Sequence, residues 1–254
     1  MSLFISFEGG EGSGKSTQAE LLAQRLQQNG AWSMLVREPG TTPLGWYLRN
    51  WLKRQGGKKR NVSQGAELFL FAAARAEFVS KVLKPALGDR NRVSIADRYG
   101  DSTTAYQGYG RQLPLSDVAI INNIASQGII PDVTFLMDCS PEEGLKRVGS
   151  VQISLPLETN DSAEFGRLDK DGARRFEEEA LGFHRRVREG YLELARQDPD
   201  RWCVLDATRT VEEISDIIWG HVWKVLSSDT EENTLESDIG LPLWTQNLKN
   251  EDIS

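Results

Sequence analysis

Residues 9–16 read Gly-Gly-Glu-Gly-Ser-Gly-Lys-Ser and fit the pattern Gly-x-x-x-x-Gly-Lys-[Ser/Thr]. An apolar run, Leu3 to Phe7, precedes this stretch, and a helix-period segment begins near Lys15. Strand, glycine loop and helix in that order are the setting the pattern requires. Glycines let the backbone curl until several N–H groups face inward, and the helix that follows aims its positive end at the same point. Such a cradle takes phosphate. Gly9, Gly10, Glu11, Gly12, Ser13, Gly14, Lys15, Ser16 and Thr17 are therefore the expected triphosphate loop. Within it, Lys15 reaches the β- and γ-phosphates, and the Ser16 hydroxyl is suited to Mg²⁺.

The bulk of the chain agrees with one α/β domain. It has 254 residues, 39% hydrophobic and 26% charged, enough apolar material for a full core. A net charge of −7 argues against a nucleic-acid partner. That charge is uneven: residues 227–254 carry seven acids and one base, an acidic extension to a body spanning 1–226. Cys139 and Cys203 sit in apolar runs far apart, as buried reduced thiols do, and the two histidines do not cluster with them, which argues against zinc. There is no apolar run of 18 residues and no basic segment leading into an apolar one at the start. The expectation is therefore no membrane association and a cytoplasmic location.

Apolar strands are expected at 3–7, 32–37, 92–97, 132–138 and 202–206, with helical stretches between them. Apolar strands alternating with helices predict a doubly wound, five-stranded parallel sheet flanked by helices. Ligands of such sheets bind at the carboxyl ends of the strands, where Glu8, Arg37, Glu38, Asp97, Arg98 and Asp138 fall. Periodicity is lost over residues 149–173. It returns as Phe176, Ala180, Phe183, Val187, Tyr191 and Leu194 on one helical face, and a last helix is read from Val211 to Leu226.

A triphosphate loop leaves the reaction open. The Asn-Lys-x-Asp motif of guanine recognition is missing from the chain. Instead, Arg37, Arg49, Arg75 and Arg98 lie at strand ends or on helices that could line the cleft, as a second phosphate site requires. Asp97 closes an apolar strand, a place for a carboxylate that holds the Mg²⁺ shell.

Together these segments resemble the thymidylate kinases, P-loop enzymes of the nucleoside monophosphate kinase type. The resemblance rests on 7–17, on 37–40 with 48–49, on 68–75, on 97–99 with 102–108, on 131–138, and on 175–179 with 186–194. It implies ATP-dependent phosphorylation of dTMP to dTDP with Mg²⁺, in a homodimer. By resemblance, Phe71 stacks on thymine and Arg75 bonds its carbonyl oxygen. Arg49 and Arg98 hold the acceptor phosphate, Thr103 and Gln107 face the base edge, and Tyr106 crowds the sugar. Glu11 lies near the deoxyribose 3′-hydroxyl, and the Glu38–Pro39 bond is a candidate cis peptide.

An acidic residue at position 11 implies that the transition-state arginine comes from a lid, about residues 147–175. Its candidates are Arg147, Arg167 and Arg175, alongside Lys15, Asp97 and Arg98 as catalytic groups. This chain departs from the family pattern in a longer lid with an insertion at 151–165, in Arg174, and in Thr41 where a second glycine is usual. Two alternatives are a kinase for another nucleoside monophosphate and a non-catalytic nucleotide-binding regulator.

Overall fold

The computed structural model describes residues 2–54, 62–89, 92–153 and 179–234. Five parallel strands form the sheet: β1 Leu3–Glu8, β2 Trp32–Arg37, β3 Arg92–Asp97, β4 Val133–Asp138 and β5 Trp202–Asp206. Their order is β2-β3-β1-β4-β5, so β1 is central. The chain first runs to one side of β1 and then to the other, and such a reversal opens a crevice at the carboxyl ends. The expected fold class and all five strands are present, with boundaries differing by at most one residue.

The helices are α1 Lys15–Gln28, α2 Pro43–Arg54, α3 Gln64–Phe78, α4 Lys84–Leu87, α5 Gly100–Thr103, α6 Leu115–Ser126, α7 Pro141–Ile153, α8 Leu181–Gln197 and α9 Val211–Thr234. Two π-helical turns join them: Val79–Leu83 links α3 to α4, and Thr104–Gly110 continues α5. Such turns cluster at functional sites, and the second carries Tyr106 and Gln107.

Alternation along β1 sorts its side chains by face. Leu3, Ile5 and Phe7 pack with Ala19, Leu22 and Leu26 of α1 and with Ile214, Ile218 and Val222 of α9. Phe4 points the other way, against Phe78, Val79 and Tyr99. Glu8 shares that face, which turns its carboxyl under the crevice.

Three expectations are corrected. Residues 149–153 continue α7, so order persists past the point where periodicity fades. Ala180 is extended and precedes α8, which starts at Leu181. The last helix runs on to Thr234, eight residues into the acidic extension; residues 227–234 hold no apolar residue whose period could reveal it. The 151–165 insertion beyond Ile153 and the tail from 235 lie outside the described residues.

Candidate active site

The glycine loop turns on three left-handed residues, Gly9 at φ +141°, Gly12 at +67° and Gly14 at +93°. A side chain at Gly9 would place Cβ 2.6 Å from the Met137 carbonyl oxygen, so both sterics and φ demand glycine there. Lys15 folds back over the loop and donates to the Gly10 carbonyl at 2.5 Å and to Ser13 Oγ at 3.3 Å. Burial lowers the Lys15 pKa to about 8, and the neighbouring Arg98 charge adds to the effect.

Asp97 ends β3 opposite the loop. Its Oδ2 accepts from Ser16 Oγ at 2.6 Å and from Arg37 Nε at 2.8 Å. Burial alone would raise its pKa, but Arg37, Lys15 and the Ser16 hydroxyl together hold it below the ordinary value. A hydroxyl beside an ionised carboxylate is a hard-oxygen donor pair. It fits Mg²⁺, which takes one or two protein ligands and completes its shell with phosphate and water. Among the described residues there is no cluster of three metal-binding side chains, so an all-protein cage is not what is built there.

Arg98 is the hub. Its backbone is left-handed at φ +74°. One terminal nitrogen donates to Gly9 O at 3.0 Å, Ser102 Oγ at 3.2 Å and Tyr191 Oη at 3.2 Å. The other donates to Glu11 Oε1 and to Tyr106 Oη, each at 3.1 Å. Tyr106 in turn donates to Glu11 Oε1 at 2.7 Å. Burial tends to raise the Glu11 pKa, but Arg98 and Lys15 outweigh it and keep the carboxyl ionised.

Two cavities meet at this hub. The larger, about 340 Å³, is lined by 11–17 with Arg37, Arg49, Asp97, Arg98, Arg147 and Val148. Five cationic side chains face two carboxylates there, so it is built for anions. Burial, then Arg37, lowers the Arg49 pKa to about 10. The smaller, about 50 Å³, is lined by Glu38, Pro39, Phe71, Arg75, Ser102, Thr103, Tyr106 and Gln107, and it shares Glu11 and Arg98 with the first. Thus Lys15, Ser16, Arg49, Asp97, Arg98 and Arg147 gather in one cavity, and Phe71, Arg75, Thr103, Tyr106 and Gln107 in the other. Gly9 and Gly10 stand behind the wall, their carbonyls taken by Arg98 and Lys15.

Arg147 donates to the Ala207 carbonyl at 2.9 Å and pairs with Glu143 at 3.2 Å. Arg167 and Arg175 lie outside the described residues. The Glu38–Pro39 bond is cis. Thr41 is accommodated because the positive φ, +147°, falls on Gly40; its hydroxyl meanwhile accepts from Arg37 N–H at 2.9 Å.

Several contacts that hold the site have no counterpart in the sequence pattern. Arg75 is pinned by Glu38 at 2.7 Å, by Asn122 Oδ1 at 2.7 Å and by the Tyr99 carbonyl at 3.1 Å. Glu38 is pushed up to about 7 by burial, which the single guanidinium contact does not overcome. Glu8 accepts from Tyr99 N–H at 2.7 Å, Ser102 Oγ at 2.5 Å and Tyr191 Oη at 3.0 Å. Its pKa is raised to about 7 by burial and by Asp101. Tyr191 lay on an apolar helical stripe and read as core. Glu67, Asn122 and Arg111 gave no signal, since a buried polar pair across two elements has no period.

Comparison with known proteins bears on this geometry. The family model described as Thymidylate kinase matches residues 7–218. The chain is 42% identical over 224 residues to a thymidylate kinase of Solidesulfovibrio magneticus, covering 88% of this chain and 100% of that one. It is 44% identical to one from Chlorobaculum tepidum, covering 84% and 92%. The crystal structure of thymidylate kinase from Ehrlichia chaffeensis superposes with a TM-score of 0.58 at 32% identity, covering 80% of this chain and 92% of that one. With the match running from the glycine loop into the last helix, the chain belongs to the thymidylate kinase family.

Proposed function

We propose that this chain transfers the γ-phosphoryl group of ATP to the 5′-phosphate of dTMP, giving dTDP and ADP. The observation that carries the reading is the meeting of two cavities at Arg98 and Glu11, one cationic and fed by the glycine loop, the other narrow and walled by Phe71 and Arg75. Two anions brought into line at such a junction need charge stabilisation and orientation rather than covalent help. Loop N–H groups and Lys15 hold the donor phosphates. Arg37, Arg49 and Arg98 hold the acceptor phosphate, so its repulsion from the donor is screened. Phe71 stacks on the base, Arg75 donates to its carbonyl oxygen, and Thr103 and Gln107 read its edge. Glu11 and Tyr106, fixed to each other, face the sugar. Ser16 and Asp97 hold Mg²⁺, which when bound draws charge from the phosphate oxygens. Among the described residues Arg147 is the lid cation that lines this cavity, and closing an arginine over the transferring group is worth about 10³–10⁵ in rate.

The reading includes a cytoplasmic homodimer without nucleic-acid partners. Two free cysteines fit a reducing compartment. No helix among the described residues is long and apolar enough to cross a membrane. The net charge of −7 disfavours nucleic acid. Large apolar side chains exposed on neighbouring helices, Trp46 and Tyr47 on α2, Phe69 on α3, Ile120 and Ile124 on α6, fit a paired surface.

The test is ADP release across a panel of nucleoside monophosphates. We expect dTMP to be the fastest acceptor and dUMP slower, because a methyl group filling an apolar pocket is worth about 1 kcal/mol. Faster turnover of AMP, GMP or UMP would replace the acceptor assignment. Binding of ATP and dTMP without turnover would make the protein a regulator.

A further inference from the structure

The acceptor cavity contains one side chain whose orientation is decided from behind it. Gln107 lines the cavity beside Arg75 and Thr103. A primary amide has donors at one end and an acceptor at the other, and a half-turn exchanges them with little change of shape. Here Gln107 Nε2 donates to Glu67 Oε1 at 2.8 Å. Arg111 grips the same carboxylate, Nε to Oε1 at 3.1 Å and a terminal nitrogen to Oε2 at 3.4 Å. Glu67 and Gln107 are each 1% exposed and Arg111 6%. A carboxylate paired with a guanidinium offers only acceptors, so the amide can satisfy it only with Nε2–H. The carbonyl Oε1 is the end left for the cavity.

We propose that Glu67 is a specificity-determining residue. By fixing the Gln107 amide it makes the cavity select a base whose ring nitrogen bears hydrogen over one whose ring nitrogen bears a lone pair. The inference rests on the acceptor reading above. Thymine presents an N3–H flanked by the O4 acceptor, whereas cytosine presents a bare N3 flanked by an amino donor. With Oε1 and the Arg75 guanidinium facing the base, thymine pairs twice. Cytosine sets acceptor against acceptor and donor against donor, and such mismatches of buried polar groups are what specificity draws on. Glu67 touches no substrate in this scheme. It acts only through Gln107, and Arg111 keeps it in place.

Glu67→Met tests this, because a side chain of similar length without a strong acceptor leaves nothing that fixes Nε2 and releases Gln107 to turn. We expect the ratio of kcat/KM for dTMP over dCMP to fall by about tenfold or more, with the dTMP over dUMP ratio unchanged. A general weakening of the fold would lower all three acceptors together. A dTMP over dCMP ratio as in the parent, in a folded variant that still uses dTMP, overturns the inference. If the parent enzyme does not use dTMP, the acceptor reading fails instead, and the two failures are distinguishable. A second arm needs no Glu67 variant. In ¹⁵N-glutamine-labelled protein with dTMP bound, the Gln107 Nε2 hydrogens are assigned by their loss in Gln107→Met. They should give nuclear Overhauser contacts to the Arg111 Nε hydrogen, which shares the same carboxylate oxygen. Contacts to the base in their place would overturn the proposal.

Discussion

Arg98 holds a left-handed backbone at φ +74°, a conformation that costs a non-glycine residue roughly 1–2 kcal/mol. The structure retains it because the Arg98 N–H donates to the Phe7 carbonyl at 3.0 Å and its guanidinium has five partners. Ser102 and Tyr191 contact both Arg98 and the Glu8 carboxyl, so Glu8 positions the hub through two hydroxyls. The sequence named Arg98 through its motif. Nothing in spacing disclosed Glu8, Ser102 and Tyr191 as its supports, because they come from three elements. A pH prediction follows from Glu8. Its folded pKa is about 7 against 4.5 for an unshifted glutamate, so between those values the folded state binds more protons than the unfolded one. Stability then falls as pH rises through that window. Lys15, Arg98, Asp101 and the Tyr99 N–H all act on Glu8 or face it, and Arg98 limits the shift. Glu8→Gln should flatten the slope of Tm between pH 5 and about 7.5, leaving the part due to Glu38, which is also near 7. An unchanged slope would mean that Glu8 titrates normally.

At the scale of elements, the π-helical turn Thr104–Gly110 and helix α8 form the unit that carries Tyr106, Gln107 and Tyr191 to the site. Their approach is set by glycine on both sides. A Cβ at Gly110 would lie 2.6 Å from the Phe183 ring, and one at Gly190 would lie 2.6 Å from the Tyr109 ring. Rotating the Tyr109 ring would not relieve the second clash, because Tyr109 Cβ itself is 2.8 Å away. Gly190→Ala should therefore destabilise by about 1–3 kcal/mol in denaturant unfolding. Gly149→Ala, at an exposed position of α7 with nothing within 4 Å, should stabilise by about 0.5–1 kcal/mol. Equal effects at the two positions would refute the packing argument. Helical period located both elements in the sequence. It did not locate the π-turn, since the inserted residue changes the hydrogen-bond ladder without changing which residues are apolar.

For the whole molecule, the strand order β2-β3-β1-β4-β5 puts the glycine loop and Asp97 on adjacent strand ends, with Phe7 paired to Asp97 across β1 and β3. The exposed apolar faces of α3 and α6 lie side by side on its flank, with Ile124 71% exposed. Ile124→Asp should shift the protein from dimer to monomer in sedimentation velocity, with little loss of Tm in the monomer. A parent protein that sediments as a monomer would remove the dimer from the proposal. The sequence by itself determined the strands, the parallel sheet, the phosphate loop and the identity of the family, because each is written in local periods and contiguous motifs. Tertiary structure alone decided how those residues are held: Arg98 at the junction of two cavities, Glu8 beneath it, and Glu67 behind Gln107. The reason is physical. A buried polar group is stable only when satisfied, the partners named for Glu8 and Glu67 come from segments 40 to 183 residues away, and only the folded chain brings those segments together.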